Sequence, residues 1–195
     1  MASDELILEG VVVTLNPDGS PNISPMGPRV DRDVSRLVLR PFRTSQTYQN
    51  LNRQGEGVLH VTDDVELIAH AAIGQLDPLP PLVPVASIGG QRLADCCRWF
   101  AFRVAALDDA DERTTIHCQV VDRGTVREFF GFNRAKHAVL EGAILATRIG
   151  ILPAEELRSQ MRHLATLVQK TAGDQERRAF AFLDEYIKRQ LDTTI

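Results

Sequence analysis

Arg40-Pro41-Phe42-Arg43-Thr44-Ser45-Gln46-Thr47-Tyr48-Gln49-Asn50-Leu51 is the stretch on which the reading of this chain turns. It ends the apolar run Leu37-Val38-Leu39 on a basic residue and then supplies hydroxyls where a new helix should begin. A strand, a turn and a short helix over about Thr44 to Arg53 follow, with Tyr48 and Leu51 on the buried side. A helix start exposes unpaired N–H groups and the positive end of the dipole, so it attracts a phosphate. Arg40 and Arg43 add charge-assisted hydrogen bonds to such an anion. The plainer alternative is a surface junction in which Thr44 or Ser45 only caps the helix and Arg40 pairs with Asp31 or Asp33.

Working outward, Leu6 to Leu15 reads as a strand, Asn16-Pro17-Asp18-Gly19 as a turn, and Pro21-Asn22-Ile23-Ser24 as the returning strand of a hairpin. Arg36 to Arg40 is a third strand and Val58 to Thr62 a fourth. Asp63-Asp64 opens a short helix over Val65 to Ala72. The proline- and glycine-rich segment from Gln75 to Gly90 reads as a loop or irregular edge. Cys96 to Leu107 and Thr114 to Val121 form a second, longer hairpin. From Asn133 the periodicity becomes helical. One helix runs to about Arg148, one begins near Pro153 and buries Leu157, Met161, Leu164 and Val168, and a last one buries Phe180, Leu183, Ile187 and Leu191. The chain is expected to be mainly β over 1–132, with a helical extension over 133–195. No βαβ repetition and no G-x-G-x-x-G appear, which removes the main argument for a Rossmann site.

A chain of 195 residues with 44% hydrophobic and 25% charged residues has the composition of an ordinary globule. The formal charge of -4 and the scarcity of aromatic residues argue against nucleic acid as a partner. Cys96, Cys97 and Cys118 are too few for a disulfide framework and are expected as reduced, buried thiols. The first two should point to opposite faces of a strand. Without a C-x-x-C, no metal site is expected. No apolar span of 18 residues and no leader pattern at Met1-Ala2-Ser3-Asp4-Glu5 occur, so the expected location is cytoplasmic, away from membranes.

The blocks Asn22-Ile23-Ser24-Pro25-Met26-Gly27, Arg40-Pro41-Phe42 with Thr44, Thr47-Tyr48 and Asn50-Leu51, Gly55-Glu56-Gly57-Val58, Val61-Thr62-Asp63-Asp64-Val65, and Asn133-Arg134-Ala135-Lys136-His137-Ala138-Val139-Leu140-Glu141 follow one another along the chain. In these blocks the chain resembles the DUF447 family, within the flavin reductase-like, FMN-binding split-barrel superfamily. The resemblance spans nearly the whole chain. It implies a six-stranded open split β-barrel, a homodimer, and FMN held near the subunit interface. The helical extension would pack on the barrel and the dimer interface. The residues that match the phosphate-binding role are Arg40, Thr44, Ser45, Thr47 and Asn50. Asn22, Ile23, Ser24, Pro25 and Met26 would lie along the flavin ring. Position 60 is His where such proteins often have Asn, and it is left out of the cofactor site.

Asn22 and Ser24 alternate across Ile23, so both can face a cavity, or form a plain polar edge past the turn. Pro25 lacks an N–H and should mark where the strand leaves its ladder. Asn133, Arg134, Lys136, His137 and Glu141 crowd a helix start. Either this face closes the flavin cavity or holds an anion, with Lys136 among the cofactor-binding residues, or Asn133 caps and His137–Glu141 is a surface pair. His137 is the expected proton donor, because histidine alone titrates unperturbed near the working range. The implied activity is that of an FMN-dependent oxidoreductase or flavin reductase on a small substrate, with NADH or NADPH as electron donor. The alternatives are a non-catalytic FMN-binding sensor, carrier or electron-transfer partner, and a barrel that has lost flavin.

Overall fold

The computed structural model describes residues 5–193; Met1–Asp4, on which the expectation about a leader bears, lie outside the described residues. The described chain forms two compact units. One takes the chain up to Thr62 together with Leu79–Phe129, and the other takes Asp63–Pro78 together with the chain from Phe130 onward. The backbone therefore passes between them three times, at 62/63, 78/79 and 129/130.

The first unit is an eight-stranded antiparallel sheet with a two-stranded hairpin and one helix. Its strands are β1 (Leu6–Ile7), β2 (Gly10–Leu15), β3 (Pro21–Met26), β4 (Arg29–Val30), β5 (Arg36–Leu39), β6 (Glu56–Val61), β7 (Leu82–Val85), β8 (Gly90–Leu93), β9 (Arg98–Asp108) and β10 (Thr115–Thr125). All but β7 and β8 form the sheet, in the order β1-β4-β5-β10-β9-β6-β2-β3. The six from β5 to β3 are the expected strands, and the two-residue β1 and β4 extend one side. The expected single strand Leu6 to Leu15 is thus two, because β1 pairs with β4 while β2 lies between β3 and β6.

Val11, Val12 and Val13 of β2 are all buried, so this strand is covered on both faces. Its hairpin with β3 turns where Gly19 takes φ +82° and donates to Asn16 O at 2.9 Å. The helix α1 (Gln46–Gln54) starts at Ser45, whose Oγ accepts from Tyr48 N, and stops at Gly55, left-handed at φ +71°. A core of Val12, Leu37, Leu39, Leu51, Leu59, Phe102 and Ile116 fills the space within the sheet.

Two sequence expectations need correction. The segment from Gln75 to Gly90 is not all loop, because β7 and β8 form their own hairpin. Its shortness and its Pro84 concealed it, since proline is tolerated where no ladder N–H is required. Cys96 and Cys97 precede β9 rather than opening it, and both are buried.

The second unit holds α2 (Val65–Ala72), α3 (Arg134–Ala146), α4 (Ala154–Thr171) and α5 (Asp174–Thr193). The buried side of α3 is small, with Ala135, Ala138, Gly142 and Ala143. A Cβ added at Gly142 would meet Leu183 and Met161 at 3.5 and 3.7 Å, ordinary van der Waals distances. The apolar stripes of α4 and α5 bury the residues their spacing predicts. No helix among the described residues is long and apolar enough to cross a membrane.

Candidate functional site

The start of α1 is where the sequence concentrates hydroxyls and guanidinium groups, and the structure divides them into two sets. Thr47 and Asn50 point inward and are 2% and 1% exposed. Asn22 Nδ2 donates to Thr14 Oγ1 at 3.1 Å and to Thr47 Oγ1 at 3.0 Å. Asn50 Nδ2 donates to Thr14 Oγ1 at 3.0 Å and to Asn16 Oδ1 at 2.9 Å, and its Oδ1 accepts from Gln46 Nε2 at 3.0 Å. Arg53 donates to Leu15 O farther along the same helix. These bonds tie α1 to β2 and β3 and satisfy polar atoms that would otherwise be costly to bury.

The outward set is Arg40, Arg43 and Thr44, all exposed, with Ser45 half-buried as the cap. The Arg40 guanidinium has no hydrogen-bond or ion-pair partner among the described residues, so the pairing with Asp31 or Asp33 does not form. Asp31 instead accepts from Ser35 N at 2.7 Å and pairs with Arg36 at 3.5 Å. The carbonyl of Arg40 accepts from Arg113 Nε at 3.2 Å, and Arg113 lies 5.6 Å from the Phe42 ring centre. Tyr48 anchors the other side, its hydroxyl donating to Asp109 Oδ2 at 2.7 Å. That bond raises the phenol's pKa.

Along β3, Ile23 is buried opposite Val13, while Asn22, Ser24, Pro25 and Met26 are half-buried. Pro25 does not mark the strand's departure: it stays in register opposite Val11. It is accommodated because β3 is the last strand of its sheet and one side needs no ladder N–H.

His60 is wholly buried and joins three strands. Its Nδ1 is 3.0 Å from Val11 O, and its Nε2 accepts from Leu93 N at 3.0 Å, so the proton sits on Nδ1. Burial pushes its pKa from 6.5 down to about 4. Nothing in the sequence revealed this role, because Leu93 belongs to the hairpin that the sequence concealed.

In the second unit, Asn133 caps α3, its Oδ1 accepting from Ala135 N at 2.8 Å and Lys136 N at 3.2 Å, while its Nδ2 holds Thr171 O at 3.1 Å. Lys136 is engaged. Its Nζ lies 2.9 Å from Glu176 Oε1, donates to Asp63 O at 2.7 Å and to Gln175 Oε1 at 3.3 Å. Burial pushes the Glu176 carboxyl up, but the bonds from Lys136 and Gly173 N–H outweigh it and the net shift is downward. Asp64 caps α2 and accepts from Gln175 at 2.9 Å. His137 is exposed, with the Phe132 ring 6.1 Å away, and makes no bond to Glu141. The arginines, hydroxyls and Asn22 thus belong to the first unit, and Lys136 and His137 to the second. Among the described residues no three His, Cys, Asp or Glu side chains are grouped to hold a metal ion.

Comparisons with known proteins fit this architecture. The FMN-bound protein MM1853 from Methanosarcina mazei, itself assigned to DUF447, superposes with a TM-score of 0.81 at 24% identity, covering 94% of this chain and 96% of that one. The 2-nitrobenzoate 2-nitroreductase NbaA of Pseudomonas fluorescens gives 0.51 at 14% identity, over 65% and 66%. The NADH:FAD oxidoreductase SgcE6 of Streptomyces globisporus gives 0.51 at 14%, over 62% and 71%. The fold is therefore the flavin reductase-like split barrel, carried by the curled antiparallel sheet, with helices added. No curated protein matches the sequence. The models of the DUF447 N-terminal domain and of the second DUF447 region, both described as protein of unknown function, match residues 8–127 and 133–185. With both regions matched in order, the chain belongs to the DUF447 family.

Proposed function

We propose that the protein binds FMN and works as a flavin-dependent oxidoreductase or flavin reductase on a small substrate. The observation that carries this reading is the outward set at the start of α1. Among the described residues Arg40 and Arg43 have no acidic partner, and Thr44 and Ser45 precede the helix, the Ser45 hydroxyl accepting from Tyr48 N. A dianionic phosphate needs several such donors to offset the loss of its hydration. The bound FMN of the Methanosarcina mazei relative supports the same choice of ligand.

The side chains fit FMN in two layers. Arg40, Arg43, Thr44 and Ser45 hold the phosphate, while Thr47, Asn50 and Asn22 fix α1 against β2 and β3 so that those donors keep their places. Ser24, Pro25 and Met26 line the ring, whereas Ile23 is buried opposite Val13 and Asn22 is engaged with Thr14 and Thr47. Bound FMN supplies hydride acceptance and donation, and the protein's part is orientation and exclusion of water. Lys136, tied to Glu176, shapes its own helix start, and the exposed His137 is the proton donor. The donor is a reduced nicotinamide nucleotide, as the name of SgcE6 suggests for that protein. The working form is a homodimer. The three cysteines are buried and form no disulfide with one another, which suits a reducing compartment, the cytoplasm.

Titrating purified protein with FMN and following its absorbance tests the first step, and anaerobic addition of NADH or NADPH tests the second. Stoichiometric uptake followed by rapid bleaching is expected. Uptake without bleaching by any donor would leave a flavin carrier or sensor in place of the enzyme. Absence of uptake would end the flavin reading altogether.

A further inference from the structure

The outer face of β4, β5 and β10 carries a concavity of about 510 Å³ lined by Arg29, Arg32, Arg36, Val38, Ala105 and His117, among others. Strand register explains its composition. Arg29 and His117 both stand opposite Val38, and Gln119 stands opposite Arg36, so these side chains share one face. Leu37, Val30 and Cys118 alternate to the buried face. A bulge between His117 and Cys118 shifts the β9–β10 register beside Ala105, whose small side chain leaves the recess open.

The rim is held in place. Val34 adopts φ +50°, a conformation that costs a β-branched residue, and is kept there by burial. Asp31 accepts from Ser35 and pairs with Arg36, so one acid and one base of the recess offset each other. Arg29 and Arg32 have no hydrogen-bond or ion-pair partner among the described residues, and Glu5 is the other acid on the lining. The recess therefore keeps a net positive charge over a small apolar floor of Val38 and Ala105, and its volume lies within the range of small-molecule sites.

We propose that this recess is an anion site, distinct from the flavin phosphate donors, which takes a small organic phosphate. Its phosphoryl oxygens are held by Arg29 and Arg32 and its less polar body rests against Val38 and Ala105. Two unpaired guanidinium groups suit the paired oxygens of a phosphoryl group better than a lone positive charge would. The proposal goes beyond the flavin reading and fails separately from it.

Calorimetry on the purified full chain tests it, with ADP, inorganic pyrophosphate and adenosine as probes. ADP and pyrophosphate should bind, adenosine should not, and ADP affinity should fall at least tenfold in Arg29→Ala/Arg32→Ala. Ala105→Trp, which fills the recess without altering charge, should weaken ADP more than pyrophosphate. Both variants should take up FMN as the unmodified protein does. Absence of heat with ADP, equal affinity in the double variant, or displacement of ADP by FMN in proportion to its uptake would each overturn the proposal.

Discussion

Asn22 Nδ2 stands 3.0 Å from Thr47 Oγ1, so a residue of the edge strand β3 and a residue of α1, 25 positions apart, share a hydrogen bond. The two belong to separate motifs of the sequence, and each motif read alone points its residue at the cofactor. Their bond gives them a shared role instead. It holds the helix start, with its outward arginines and hydroxyls, at a set position on the sheet.

Thr47→Val should therefore loosen the site without removing any phosphate donor on the helix surface. It leaves Asn22 without one acceptor, which costs about 1–2 kcal/mol. Urea denaturation should show that loss, and FMN titration should show weaker uptake in the same variant. Unchanged stability would mean that the network does not anchor α1.

Arg40→Ala should do the reverse. The side chain is exposed and has no bonding partner among the described residues, so thermal stability should barely move, while FMN affinity falls about tenfold or more through loss of a charge-assisted bond. Riboflavin, which lacks the phosphate, should be insensitive to the change. An equal loss for both flavins would place the phosphate elsewhere.

His60 should make the fold acid-sensitive. Its pKa is lowered from 6.5 in the unfolded chain to about 4 in the folded one, so the unfolded state binds more protons between those values. The histidine's contribution is intact above about pH 6.5 and declines as pH falls toward about 4, by roughly 3 kcal/mol in all. His60→Asn retains groups able to meet Val11 O and Leu93 N and does not titrate. Denaturation midpoints across pH 4–7 should fall more steeply for the unmodified protein than for this variant, and parallel curves would refute the assignment.

Lys136→Met should destabilise the helical unit by about 3–5 kcal/mol, because the Glu176 carboxylate would remain buried without its partner. Adding Glu176→Leu should recover much of the loss. If circular dichroism melts show the single variant to be neutral, the pair does not anchor α3 to α5.

His137→Ala should lower turnover while leaving FMN uptake unchanged, if this exposed imidazole is the proton donor. Steady-state rates with NADH, measured on the flavin-loaded variant, decide the point. Full activity would remove His137 from the mechanism.

Much of the architecture was legible because it follows local rules. Asn16-Pro17-Asp18-Gly19 makes its turn, Ser45 and Gly55 bound α1, and Asn133 caps α3, each by chemistry confined to a few neighbouring residues. The stripes of α4 and α5 announced themselves by period. The β7–β8 hairpin was hidden, since proline in so short a strand reads locally as a breaker. The grouping of Asp63–Pro78 with the later helices was hidden too, because it depends on partners far along the chain, such as Arg178 bonding Glu66.

The amino-acid order alone settled which residues could donate to an anion, where helices start and stop, and that strands give way to helices near Asn133. It could not say which polar side chains remain available. Folding consumed Thr47, Asn50 and Lys136 in internal bonds and left Arg40, Arg43, Arg29 and Arg32 without a bonding partner among the described residues. The reason is physical: a hydrogen bond inside the protein depends on distance in space, and separations of 25 or 40 residues become 3 Å only after the chain has packed.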